Sequence, residues 1–210
     1  MKEMKVRLTL IEEILGTASG NKNIHADYIA SKAPDAAKRE EEIEAIGVDA
    51  EIEKSMTVFP RDNEGQPFIW DYQIRGFFKD ACGMLRRVSK TKSSAMKAYK
   101  KIIDGNIFVK ERQIPFDMVG EIGNCQRPLR GQTAQGERIS LANSETIPSG
   151  SSITFTIQCL NDGDMETVKE WLNYGRVRGL GQWRNSGKGK FYWELLEEKT
   201  AGFDDFILAV

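Results

Sequence analysis

The chain has 210 residues, 40% of them apolar, enough to bury a core and short enough for one elaborated domain. Its 30 Lys and Arg against 31 Asp and Glu leave a formal net charge of -1, so bulk charge marks no nucleic-acid protein and any such role must rest on where the charges sit. Three widely spaced cysteines, Cys82, Cys125 and Cys159, fit neither a disulfide framework nor a CxxC metal site; with no signal-peptide core and no apolar run of about 18 residues, they point to a reducing, cytoplasmic setting without membrane contact.

Val6, Leu8 and Leu10 alternate with Lys5, Arg7 and Thr9, which predicts a strand over residues 4–13. The pattern fails after Gly16, and residues 17–57 read as a long inserted flap with eight acids and two bases between Asp35 and Glu53. Asp71 is placed as the N-cap of a helix whose Ile74, Phe77, Phe78, Ala81, Cys82 and Leu85 share one face. Asp80 is the only acid from 75 to 101, a stretch that holds Arg75, Lys79, Arg86, Arg87, Lys90, Lys92, Lys97, Lys100 and Lys101. Here lies the charge asymmetry that the net value hides.

Two strands are expected between Asn106 and Glu121, with Pro115 at an edge or strand start, followed by a long loop or projecting hairpin over 122–152 that carries Arg127, Arg130 and Arg138. Ile153, Phe155, Ile157 and Cys159 predict a half-buried strand. Met165, Val168, Trp171 and Leu172 predict a second helix ending at Gly175, and FYWELL a last strand. Without its insertions this order is βαββαβ, an α+β, ferredoxin-like (RRM-like) antiparallel sheet with two helices on one face, in a single domain spanning 1–210.

The sharpest local signal is RVRGLGQWRNSGKGK, residues 176–190: four glycines, five bases and no acid between a helix and a strand. Glycines let backbone N–H groups approach a ligand, and Arg and Lys supply charge for phosphate. Neither a Walker loop nor a dinucleotide fingerprint is present, so the loop suits a nucleic-acid backbone better than a mononucleotide. The same composition also describes a solvated basic turn whose glycines are demanded by geometry, and Trp183 could stack a base or cap the core.

The glycine-rich segment 179–191, together with Pro67-Phe-Ile69, Ile74-Arg-Gly76 and Lys79, resembles the RAMP superfamily, the RNA-binding proteins that build CRISPR effector complexes, and its backbone subunits in particular. The two motifs flank the ferredoxin-like core and leave the insertions unmatched; Asp71-Tyr-Gln73 replaces the small glycine–serine stretch usual before the first helix. The resemblance implies single-stranded RNA, or DNA, held by its backbone along a basic groove, in a homo-oligomer or ribonucleoprotein, with the 17–57 flap as a thumb. It assigns backbone contacts to Arg75 and Lys79 on the first helix and to Gly179, Gly181, Arg184, Gly187, Lys188, Gly189 and Lys190 in the loop, with Arg127 and Arg130 as a nucleic-acid finger or an interface loop. A phage or mobile-element origin, working beside or against such a complex, is compatible with the compact chain.

His25 is the sole histidine, and His25-Ala-Asp27 follows the first strand, where a general base or a metal-ligating carboxylate could sit; the enzyme alternative is a metal-independent endoribonuclease using His25. A lone histidine without a partner is more simply an ordinary loop residue, so no catalytic step, metal or cofactor is expected. Two protein-directed alternatives stay open: an inhibitor of a CRISPR-type complex using the acidic flap, and a protein-only subunit docking through the apolar tail 202–210.

Overall fold

The computed structural model describes residues 1–19, 56–133, 136–200 and Gly202. His25, Asp27, the acidic run 35–53 and the tail 203–210 lie outside the described residues, as does the side chain of Arg130. In chain order the elements are β1 (Lys2–Leu10), β2 (Ile14–Leu15), β3 (Ala18–Ser19), β4 (Thr57–Val58), β5 (Phe68–Trp70), α1 (Asp71–Leu85), α2 (Tyr99–Asn106), β6 (Ile107–Val109), β7 (Gln113–Asp117), β8 (Gly123–Thr133), β9 (Gly136–Ile147), β10 (Ser152–Cys159), α3 (Asp162–Arg178) and β11 (Phe191–Thr200).

The main sheet runs β11-β1-β10-β7-β5, with β6 also on β10 and every pairing antiparallel. Within it β1, α1, β6/β7, β10, α3 and β11 form the expected ferredoxin-like βαββαβ core. Alternation along β1 sends Met4, Val6, Leu8 and Leu10 into that core, where α1 and α3 cover one face through Phe78 against Trp171, ring centroids 5.5 Å apart, and Phe77 against Phe191 at 5.3 Å. A second sheet, β2-β9-β4-β3 with β8 on β9, stands beside it. Ala18 and Ser19 pair with Val58 and Thr57, so the two ends of the long insertion meet as a strand pair. Within the segment read as a long loop or hairpin, β8 and β9 pair antiparallel from Gly123↔Thr146 to Thr133↔Gly136, and Ser152 already belongs to β10.

Several local expectations are corrected. The first strand ends at Leu10 rather than 13, because the N–H groups of Ile11 and Glu12 turn to the Lys190 carbonyl and Ile14 and Leu15 join the second sheet. Asp71 is the first helical residue, not the cap: Trp70 is the cap, its N–H donating to Gln73 Oε1 at 2.8 Å, while Asp71 is buried between Arg75 and Arg112. Pro115 lies inside a sheet, opposite Phe68. Since the next N–H, that of Phe116, points to Pro67 on the β5 side, the donor Pro115 lacks faces β10, whose ladder with β7 holds only residues 116 and 117. Strand β10 is buried on both faces, because α1 and α3 cover one and Glu111 and Glu3 reach Thr156 and Gln158 on the other. A third helix, α2, which the sequence reading did not place, arises within the basic stretch that follows α1.

Helix α3 passes Gly175 and ends at Gly179, φ 78°. Gly175 serves packing instead, since a Cβ there would overlap the Phe191 ring. Gly175→Ala is therefore expected to cost about 1–3 kcal/mol through overpacking, measured as a lower urea midpoint at unchanged helical content. A wild-type midpoint would mean that α3 does not need this close approach.

Candidate nucleic-acid interface

Helix α1 and the segment between α3 and β11 are about 100 residues apart in sequence and meet along one open groove of about 270 Å³. One wall is Gln73, Gly76 and Phe77 of α1; the other is Leu180, Gly181 and Arg184, with Thr17 closing one side. Gly76 is exposed and nothing stands within 4 Å of where its Cβ would be, so the helix offers bare backbone to the groove. Gln73 Nε2 donates to Thr17 Oγ1 at 2.8 Å, joining the helix to the start of the long insertion.

The glycine loop is a folded object rather than a slack turn. Leu180 N–H donates to the Gly189 carbonyl at 2.8 Å, and Gly189 N–H to the Glu13 carbonyl at 2.8 Å. A Cβ on Gly189 would collide with the Leu180 carbonyl and one on Gly179 with that of Lys188, and both residues have positive φ. These glycines are thus required by backbone-to-backbone packing. Gly181, φ 82°, sits in the groove wall, and its N–H has no acceptor among the described residues.

A single carboxylate orders the charge. Asp80 of α1 accepts from Arg178 Nε at 2.7 Å and Nη2 at 3.1 Å, and from Arg184 Nη1 at 2.8 Å. Two cations share one anion, leaving a positive surplus where Arg184 meets the groove. Burial works to raise the Asp80 pKa, but the hydrogen bonds and charges of Arg178 and Arg184 outweigh it and hold the carboxyl below its ordinary value. Lys188 is tied to Glu13 at 2.5 Å, and that hydrogen bond holds its pKa above the usual lysine value. Lys190 makes no ion pair among the described residues.

The other expected contacts scatter. Arg75 is paired with Asp71 at 2.8 Å and Lys79 with Asp104 of α2 at 2.5 Å. Arg127, 8% exposed, places its guanidinium 4.9 Å from the centroid of Trp183, donates Nη2 to Gln182 Oε1 at 3.2 Å, and leaves Nε and Nη1 without partners among the described residues. Gln182 in turn donates to the Gly16 carbonyl at 2.8 Å, so Arg127 anchors the hairpin under the glycine loop. Trp183 itself, φ 54°, is 38% exposed. Gly187 closes the short turn after Arg184, its N–H on the Arg184 carbonyl. The backbone of Arg130 lies in β8 opposite Ile139.

Sequence reasoning missed Asp80, Arg178, Gln73, Thr17 and Gln182, whose roles are tertiary. It also missed Tyr72 and Arg112: Arg112 lies 4.9 Å from the Trp70 centroid and 5.6 Å from that of Tyr72, beside Arg75 on the shared Asp71 carboxylate. The adjacency of Asp71, Tyr72 and Arg75 was legible; Arg112 was not. Among the described residues no group of three His, Cys, Asp or Glu could hold a metal ion, and no helix is long and apolar enough to cross a membrane. Burial, reinforced by Asp164 and Asp162, pushes the Cys159 thiol up to about 12, which leaves it an inert core side chain.

Because the folded Asp80 carboxyl titrates below the unfolded one, its contribution to stability is complete above the ordinary pKa of 3.8 and is lost as pH falls through the lower folded value. Asp80→Asn is expected to lower the unfolding midpoint at neutral pH and to converge with wild type as pH falls through the lowered folded value. A gap independent of pH would place the effect elsewhere.

No protein-family model matches the chain, and no curated protein matches it in sequence. Among solved structures it is similar to a chain in a cryo-EM structure of the type III-B Cmr-beta bound to cognate target RNA, with a TM-score of 0.52 and 12% identity over 94% of this chain and 60% of that one. This chain therefore spans about three-fifths of the length of the one it matches. The fold expected from the RAMP resemblance, an α+β ferredoxin-like architecture, is the fold observed.

Proposed function

We propose that this protein binds single-stranded RNA through its phosphate backbone, as a subunit of a CRISPR-type ribonucleoprotein, without cutting it. The observation that carries the reading is the convergence of two distant motifs, Gln73 to Phe77 and Leu180 to Arg184, on one open groove with glycine backbone on both walls and surplus positive charge. Glycines admit a strand closely and donate N–H groups, while guanidinium groups neutralise phosphate without reading bases. The fold shared with a chain of an RNA-bound complex supports the same reading.

Gly76→Glu is the sharpest test, because the position is exposed, helical and free of neighbours, so a glutamate there should not harm the fold and would place a carboxylate in the groove. Binding to labelled single-stranded RNA is expected to weaken about tenfold or more in low salt. Wild-type binding is expected to fall steeply with salt, and Arg184→Ala with Lys190→Ala to reduce the slope by about 0.7 for each phosphate no longer neutralised. Gly76→Glu binding as wild type would place the RNA elsewhere, and equal affinity for single-stranded DNA would mean that the 2′-hydroxyl is not read.

Assembly with a second copy is proposed on the edge of the main sheet. Strand β11 pairs only with β1 among the described strands, and Tyr192, Leu195 and Leu196 are exposed along it. Leu195→Lys with Leu196→Lys is expected to lower the apparent mass on size exclusion at unchanged secondary structure. A wild-type chain that elutes as a monomer at all concentrations would overturn this assignment.

A further inference from the structure

From Ala81 to Ile103 the sequence contains no acidic residue. Arg86, Arg87, Lys90, Lys97, Lys100 and Lys101 are all exposed, and none makes an ion pair among the described residues. Lys79, Lys92, Lys169, Lys188 and Arg178, by contrast, each hold a carboxylate. Arg86 follows Gly76 by ten residues, roughly 15 Å along the α1 axis, so this surface stands apart from the groove.

The middle of the segment that carries these cations is tied down by hydrogen bonds. Glu170 of α3 accepts from the N–H groups of Lys92 at 2.7 Å and Ser93 at 3.1 Å and from the Ser93 hydroxyl at 2.5 Å, while Trp171 Nε1 donates to the Ser93 oxygen at 2.9 Å. Thr91 Oγ1 closes on the Leu85 and Val88 carbonyls at 2.9 Å each. Lys90 and Ala98, at φ 68° and 50°, are two of the three described non-glycine residues with positive φ, and they flank this anchored turn. These bonds tie the turn at 91–94 to α3, and the cations lie in the chain on either side of it.

We infer that this face, from the end of α1 through α2, is a second surface for a nucleic-acid backbone, separate from the groove. Four of its six cations are lysines, point charges on flexible stems that suit phosphates of variable position. Protein interfaces are depleted in lysine and centre on buried aromatic anchors, whereas the nearest ring here, Tyr99, is covered by Arg86 at 5.3 Å. The occupant is a polyanion strand, bound without base preference and with steep salt dependence.

The test uses the full chain, 5′-labelled single-stranded homopolymer RNA and a salt series. Lys90→Ala, Lys97→Ala, Lys100→Ala and Lys101→Ala together are expected to lower the salt slope by about 0.7 for each phosphate left without its lysine, while the same four positions changed to Arg retain it. Combined with Gly76→Glu, the alanine set is expected to abolish the residual binding. Loss of binding in the alanine set alone, with Gly76→Glu without effect, would sustain this surface and remove the groove. A wild-type slope in the alanine set, or binding of polyglutamate in preference to RNA through these lysines, would overturn the inference.

Discussion

Asp80 joins three parts of the molecule that the chain itself keeps apart. It lies in the middle of α1, accepts two bonds from Arg178 at the end of α3, and takes a third from Arg184 in the glycine loop. Without that carboxylate two guanidinium groups would repel each other at the groove, and the loop would lose its hold on the helix. Packing does the rest: Phe77 meets Phe191 where Gly175 allows α3 to come close, so the loop leaves α3 and enters β11 at a fixed place. The groove is thus a consequence of how the core is closed.

The glycine loop divides its glycines between two structural tasks. Gly179 and Gly189 are required because backbone meets backbone at Leu180 and Lys188. Gly181 and Gly76 do something different: exposed Gly76 leaves bare backbone on one groove wall, and half-buried Gly181 lines the other. Lys188 and Arg184 each satisfy a carboxylate of their own chain, and the surplus charge at the groove comes from the two-to-one ratio at Asp80.

Much of the fold was legible because periodicity reports it directly. The alternation in β1 and β10, the shared apolar face of α1, and the glycine and turn residues around the β8–β9 hairpin each encode local structure. Helix α2 was not legible: eight residues beginning Tyr-Lys-Lys, without a side-chain cap, are held by packing of Ile103 and by β6 rather than by local propensity. Asp80 stood out in sequence only as the exception in a basic stretch, because its partners lie 98 and 104 residues away. Gly175 looked like a helix end and proved a packing contact, a distinction set by Phe191 far along the chain.

A chain of net charge -1 carries, between Arg86 and Lys101, six cations without an ion pair among the described residues, and a shared positive surplus at one groove. Amide hydrogen exchange of the full chain with and without single-stranded RNA tests the role of that groove most directly. Protection of residues 73–77 together with 179–184 is the predicted result; RNA binding that leaves both segments exchanging at their free rates would contradict it.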